Sequence, residues 1–255
     1  MCVGLDPELT KLPAQFNKSA APQFDFNKTI IDATHDLVCS YKPNPAFYEA
    51  RGDQGVRELK MTCDYIRNNY PEIPVIIDAK RGDIGNTNTG YARYVFEYLE
   101  ADAITVMPYM GIESLAHFFS YKDKGIIVGC HSSNPGAKEF QELEIAGRPL
   151  YHHVAQELMR QHGTNPNVMM FMGATYPEQM TQIRAIVGDM TLLVPGLGAQ
   201  GGDTEKTVRA GLNSKKTGMI INSSRGIIFA SNGEDFAARA REEAAKLRDE
   251  INQYR

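Results

Sequence analysis

Val75-Ile76-Ile77-Asp78-Ala79-Lys80-Arg81-Gly82-Asp83-Ile84 sets an apolar, β-branched run directly ahead of a dense group of charges. β-Branched side chains favour an extended strand. Side chains alternate across a strand, so Asp78 and Lys80 point to one side and Ala79 to the other. A helical pattern over Asn86–Glu100 follows at once. A short strand, charged at its C-terminal end and followed by an amphipathic helix, is the repeating unit of a parallel α/β protein.

The same unit recurs along the whole chain. Expected strands are Cys2–Asp6, Leu37–Lys42, Val75–Lys80, Ala103–Pro108, Gly125–His131, Val168–Ala174, Thr191–Gly196 and Gly218–Ser224. Between them lie helical patterns such as Gln54–Asn69, Tyr151–Gln161 and Pro177–Val187, and the last, near Glu234–Ile251, is rich in Ala, Glu, Lys and Arg. Most strands are apolar without polar alternation, as expected when both faces of a sheet are covered. Eight such units predict an α/β protein of the (β/α)8 TIM-barrel class, a single domain over residues 1–255. An open doubly wound sheet is the rival, but no GxGxxG follows the first strand. Because that strand starts at residue 2, a helix closing the bottom of the barrel is not expected within these residues.

The 255 residues are 42% hydrophobic and 23% charged, with a net charge of -4, which suits an ordinary globular barrel. That balance argues against nucleic acid or a membrane surface as the main partner. No apolar stretch approaches the roughly 18 residues that a membrane helix requires. The start has neither the basic nor the apolar region of a secretory signal. Cys2, Cys39, Cys63 and Cys130 form no CxxC pair and read as reduced thiols, so a cytoplasmic setting is expected.

The apolar lead-in carries Asp78 and Lys80 to the C-terminal mouth, where barrel active sites are built. Lys42 ends the preceding strand in Tyr41-Lys42-Pro43-Asn44, so two lysines and a carboxylate should converge in a partly dry cavity. Either this is a structural ion-pair network at a strand end, or it is the reactive centre. Pro195-Gly196-Leu197-Gly198-Ala199-Gln200-Gly201-Gly202-Asp203 and Asn222-Ser223-Ser224-Arg225-Gly226 follow strands seven and eight. Those loops are the recurrent phosphate cradle of barrels, although glycine also serves plain turns. Asp6 ahead of Pro7 reads as a turn aspartate or a sugar-hydroxyl acceptor, and Ser132-Ser133-Asn134-Pro135-Gly136-Ala137 reads as a turn. The irregular stretch Ser132–Pro149 is long enough to be functional. His131, His152 and His153 lack metal-ligand spacing, so no metal site is expected.

Asp78-x-Lys80-x-x-Asp83, with Lys42 one strand earlier, resembles the signature of orotidine 5′-phosphate decarboxylases. The resemblance runs from Gly4-Leu5-Asp6 to Arg225 in the family's order. Asn134-Pro135-Gly136 and Asn222-Ser223-Ser224-Arg225 look like its longer bacterial branch. It implies conversion of orotidine 5′-phosphate to UMP and CO2, the last step of UMP synthesis, without a cofactor. Lys42, Asp78, Lys80 and Asp83 would be the catalytic charge array, with Lys80 delivering the proton. Asp6 and Thr87 would meet the ribose, Ser133 the pyrimidine, and Gln200 and Arg225 the phosphate. The family also implies a homodimer in which Asp83 and Thr87 reach the partner's site. Some members are fused to a phosphoribosyltransferase, and nothing in these residues reads as that domain.

Two other functions compete. One is a metal-dependent 3-keto-gulonate-6-phosphate decarboxylase or hexulose-phosphate synthase, which shares DxKxxD but needs further acidic ligands, for which only Glu49 and Asp53 are candidates. The other is a non-catalytic sensor of phosphoribosyl ligands on the same scaffold.

Overall fold

The computed structural model describes residues 1–197 and 203–255. Eight parallel strands order as β2-β1-β8-β7-β6-β5-β4-β3 when numbered along the chain. They are β1 (Cys2–Leu5), β2 (Ser40–Pro43), β3 (Ile76–Arg81), β4 (Ala103–Val106), β5 (Gly125–His131), β6 (Val168–Met172), β7 (Leu192–Pro195) and β8 (Met219–Ser223). A parallel bridge between Tyr41 and Val75 brings β2 against β3 and closes the ring. The Tyr41 N–H donates to the Pro74 carbonyl at 3.1 Å in support of that closure. The fold is therefore the expected TIM barrel.

Strand periodicity sorts the apolar residues into two cores. Ile76, Ala103, Ile127, Phe171 and Leu193 form a small cluster of their own, whereas Ile77, Ile104, Ile126, Val128, Met170, Leu192 and Val194 belong to the large one. Neighbours in sequence alternate between the two, as a period of two demands. The small cluster fills the barrel and the large one cements it to the helices.

Those helices include Pro22–Thr34, Gly52–Asn69, Gly85–Arg93, Leu150–His162, Pro177–Val187 and Phe236–Gln253. Two details differ from the sequence reading. Leu37 lies in a 3-10 turn, His35–Leu37, and β2 begins only at Ser40, where pairing with Cys2 becomes available. The stretch after β5 is partly ordered, with a helical turn at Ala137–Phe140 and a two-residue antiparallel pairing of Glu144–Ile145 with Arg148–Pro149.

Helix Pro22–Thr34 has no capping side chain of its own. Buried Glu58, from the next long helix, accepts the Gln23 N–H at 2.6 Å and the Phe24 N–H at 3.0 Å, and pairs with Arg51 at 2.6 Å. A carboxylate satisfies the free N–H groups and complements the positive helix end. Glu58→Gln removes the charge and should cost about 1.5–3 kcal/mol, the worth of hydrogen bonds to a charged group. Urea denaturation will check this, and an unchanged midpoint would refute it.

Candidate active site

The C-terminal mouth encloses a cavity of about 300 Å³. Its lining comes from seven of the strands and the turns beyond them: Asp6, Lys42, Asp78, Lys80, Ser133 and Arg225, with Phe171 and Pro195 among the rest. Six residues singled out from sequence positions as far apart as 6 and 225 thus share one space.

At its centre Asp78 is held between two ammonium groups. Lys42 Nζ donates to Asp78 Oδ2 at 3.0 Å and Lys80 Nζ donates to Oδ1 at 2.7 Å. The Lys42 side chain is 4% exposed, that of Asp78 12% and that of Lys80 49%, so Lys80 is the member of the row most open to the cavity. Burial alone would favour the neutral amine of Lys42, but Asp78 and then Asp6 outweigh it and raise its pKa above the ordinary lysine value. Burial would likewise push the Asp78 carboxyl up, yet Lys42 and Lys80 hold it well below the usual carboxylate range. The Lys42–Asp78 pair is therefore ionised at neutral pH, with Lys80 Nζ against the second carboxylate oxygen.

Asp6 joins three strand ends. Its Oδ1 accepts the Asn44 N–H at 3.1 Å after β2, and its Oδ2 accepts the Ser224 hydroxyl at 2.7 Å after β8. On the opposite wall, Ser133 lies close to β6. A Cβ at Gly173 would stand 2.6 Å from the Ser133 backbone, so only glycine admits that approach. Thr175 donates its hydroxyl to the Ser133 carbonyl at 3.1 Å, and Gln141 accepts the Ser132 N–H at 2.8 Å. Arg225 opens a helical turn, Arg225–Ile228, and is exposed at the rim. Gln200 lies outside the described residues.

Asp83 and Thr87 do not line this cavity. The turn after β3 is clamped by buried Asn88, whose Oδ1 accepts the Asp83 N–H at 3.0 Å and whose amide donates to the Ser114 carbonyl at 2.8 Å. The Asp83 carboxylate accepts the Ile84 N–H at 2.7 Å. Gly82 packs against the end of β4, where a Cβ would meet the Met107 carbonyl at 2.3 Å. Thr87 is exposed on helix Gly85–Arg93.

The three histidines are scattered. His131 Nε2 meets Glu142 at 3.0 Å, His152 meets Gln182 at 2.9 Å and His153 meets the Ile145 carbonyl at 2.9 Å. Among the described residues no three His, Cys, Asp or Glu side chains converge as a metal-ligand group. Nor is any described helix long and apolar enough to cross a membrane. Sequence reasoning passed over Asn44, Thr105, Phe171 and Ser224. Strand alternation could have flagged Thr105, two residues beyond inward-facing Ala103, and Phe171 by its position in β6.

A TIM barrel with a hydrogen-bonded Lys–Asp–Lys row at its C-terminal mouth and an arginine at the rim defines a narrow class of proteins. Residues 1–240 match the Orotidine 5′-phosphate decarboxylase / HUMPS family, and the chain belongs to it. An orotidine 5′-phosphate decarboxylase of Cellvibrio japonicus is 49% identical over 231 residues, covering 90% of this chain and 84% of its own. One from Ralstonia pickettii is 48% identical over 255 residues, covering 100% and 93%. The solved Leishmania donovani OMP decarboxylase superposes with a TM-score of 0.83 at 38% identity, over 97% of this chain and 93% of that one. The UMP synthase of the same organism gives 0.89 at 39% identity over 99% of this chain, which spans 53% of that longer protein.

Proposed function

We propose that this chain converts orotidine 5′-phosphate to UMP and CO2 without a cofactor, the last step of UMP synthesis. The observation that carries the reading is the Lys42–Asp78–Lys80 row at the cavity, with Lys80 its most exposed member. Its relatives' activity supports the same reading. Arg225 and Gln200 hold the phosphate, Asp6 and Lys42 the ribose, and Ser133 the pyrimidine. When the bond from C6 to the carboxylate breaks, the electron pair stays on C6 in the plane of the ring, where the π system cannot delocalise it. Lys80 stabilises that developing charge and then gives C6 its proton. A preorganised cation in a water-poor site acts there without reorganisation at the moment of reaction. Asp78 keeps Lys80 aimed through their 2.7 Å hydrogen bond.

Asp83 and Thr87 belong to a second copy's site in this reading, and the active form is a homodimer. Exposed Ile84, Tyr109 and Met110, on the turns after β3 and β4, are apolar surface that such a copy would cover. Three of the four free thiols are buried, and a cytoplasmic setting completes the proposal.

The direct test incubates the chain with orotidine 5′-phosphate and EDTA while the absorbance of the orotate chromophore is followed. Rapid conversion to UMP is expected. Turnover of a sugar phosphate that needs Mg2+ would instead favour the metal-dependent branch, and tight binding of UMP without turnover would favour a sensor.

Shared sites make a second prediction. Lys80→Ala and Asp83→Ala should each be inactive alone, yet regain activity when unfolded together and refolded. Random pairing leaves one intact site in each mixed dimer, about a quarter of all sites, if the dimer is two-fold symmetric. Recovery of none would place Asp83 in its own chain's site or outside catalysis.

A further inference from the structure

The backbone that presents Lys80 is irregular. β3 and β4 pair at Ile77 with Ile104 and next at Arg81 with Val106, so β3 advances four residues where β4 advances two. The extra residues form a bulge that includes Lys80, whose φ is +46°. Left-handed backbone is costly for a side chain with a Cβ and persists only where its surroundings enforce it. Bulges re-aim side chains beside active sites but remove ladder partners from the residues they displace.

Thr105 supplies the missing partner. It is buried within β4, and its Oγ1 accepts the Lys80 N–H at 3.0 Å while donating to Asp78 Oδ1 at 2.9 Å. A hydroxyl has one proton, and the Lys80 N–H can only donate. The Thr105 proton must therefore point at Asp78. One side chain thus fastens the Lys80 backbone in its bulge and turns the Asp78 carboxylate to face both lysines.

We infer that Thr105 is a positioning residue for the decarboxylation, holding Lys80 and Asp78 in register across the β3–β4 bulge without touching substrate. This rests on the function proposed above. A near-attack geometry lost by about an ångström costs on the order of 10²-fold in rate. Thr105→Val keeps the shape but can neither accept nor donate. Phosphate and ribose groups, held elsewhere, should bind as before.

The experiment compares wild type, Thr105→Val and Thr105→Ser on orotidine 5′-phosphate, with UMP as a competitive inhibitor. Thr105→Val should lower kcat roughly 10- to 100-fold, leaving KM and UMP inhibition within about threefold of wild type. Thr105→Ser, which keeps the hydroxyl, should restore kcat to within about threefold. Equal kcat in wild type and Thr105→Val would overturn the inference, as would a serine variant as slow as the valine one. If Thr105→Val does not fold, Thr105→Ala, which likewise can neither accept nor donate, takes its place under the same criteria. A wild type that fails to turn over orotidine 5′-phosphate would overturn the proposed function itself, which is a distinguishable result.

Discussion

Lys80→Ala is expected to fold normally and to lose decarboxylation almost completely. Its side chain is half exposed, and Lys42 remains to pair with Asp78, so removing Lys80 leaves no buried charge stranded. Thermal unfolding should shift little, because exposed ion pairs contribute at most about 1 kcal/mol. Catalysis is another matter, since Lys80 has two tasks. Removing one preorganised electrostatic donor costs about 10²–10³-fold, and removing a general acid about 10²–10⁴-fold. A fall in kcat on the order of 10⁴-fold or more follows from the same terms. The absorbance assay, run beside circular dichroism on the same samples, separates the two properties. Retention of near-wild-type turnover would remove Lys80 from the chemistry and with it the mechanism proposed here.

Asp78→Ala should show the opposite balance, losing stability as well as activity. Lys42 is almost entirely buried, and its nearest counter-charge is Asp78. Breaking a buried pair leaves one uncompensated charge and costs about 3–5 kcal/mol. For a chain of this size each kcal/mol moves Tm by about 2–4 °C, so a fall of roughly 6–20 °C is expected in calorimetry.

The pH dependence gives the sign of each contribution. Asp78 has a folded pKa below its unfolded value of about 3.9, so its contribution is present above that pH and is lost as pH falls towards the folded pKa. Lys42 has a folded pKa above its unfolded value of about 10.4, so its contribution is present below that pH and fades as pH rises through the folded one. The stability gap between wild type and Asp78→Ala should narrow as pH falls below about 4, where Asp78 gains its proton, and also as pH rises towards about 10, where the stranded Lys42 of the variant sheds its own. A gap that stays constant as pH falls through the acid range would mean that another group carries the pairing.

The contrast between these two variants explains why a row of charges can serve both fold and reaction. Lys42 and Asp78 are locked against each other in the barrel mouth, while Lys80 borrows its orientation from them and keeps its ammonium free for substrate. Thr105 ties that arrangement to the neighbouring strand.

Much of this was legible in the sequence. Strands buried on both faces must be apolar almost throughout, so Val75–Ile77, Ile126–Val128 and Leu192–Val194 stand out from the amphipathic helices between them, and eight repeats determine a barrel. The two-residue period determined that Asp78 and Lys80 share a side, since that follows from covalent geometry alone. Only the tertiary structure decided what those charges face. The bulge that lifts Lys80 depends on how β3 registers against β4, and no local signal in Asp78-Ala79-Lys80-Arg81 specifies it. Glu58 caps a helix that begins thirty-six residues earlier, and Asp6 meets Ser224 across almost the whole chain. The turn that carries Asp83 away from Lys80 is likewise set by a clamp, Asn88 on Ser114, between separate elements. Local geometry and burial are properties of neighbours in sequence, so one chain's letters determine them. Register, long-range pairing and the direction of a charge depend on which surfaces pack together, and folding alone decides that.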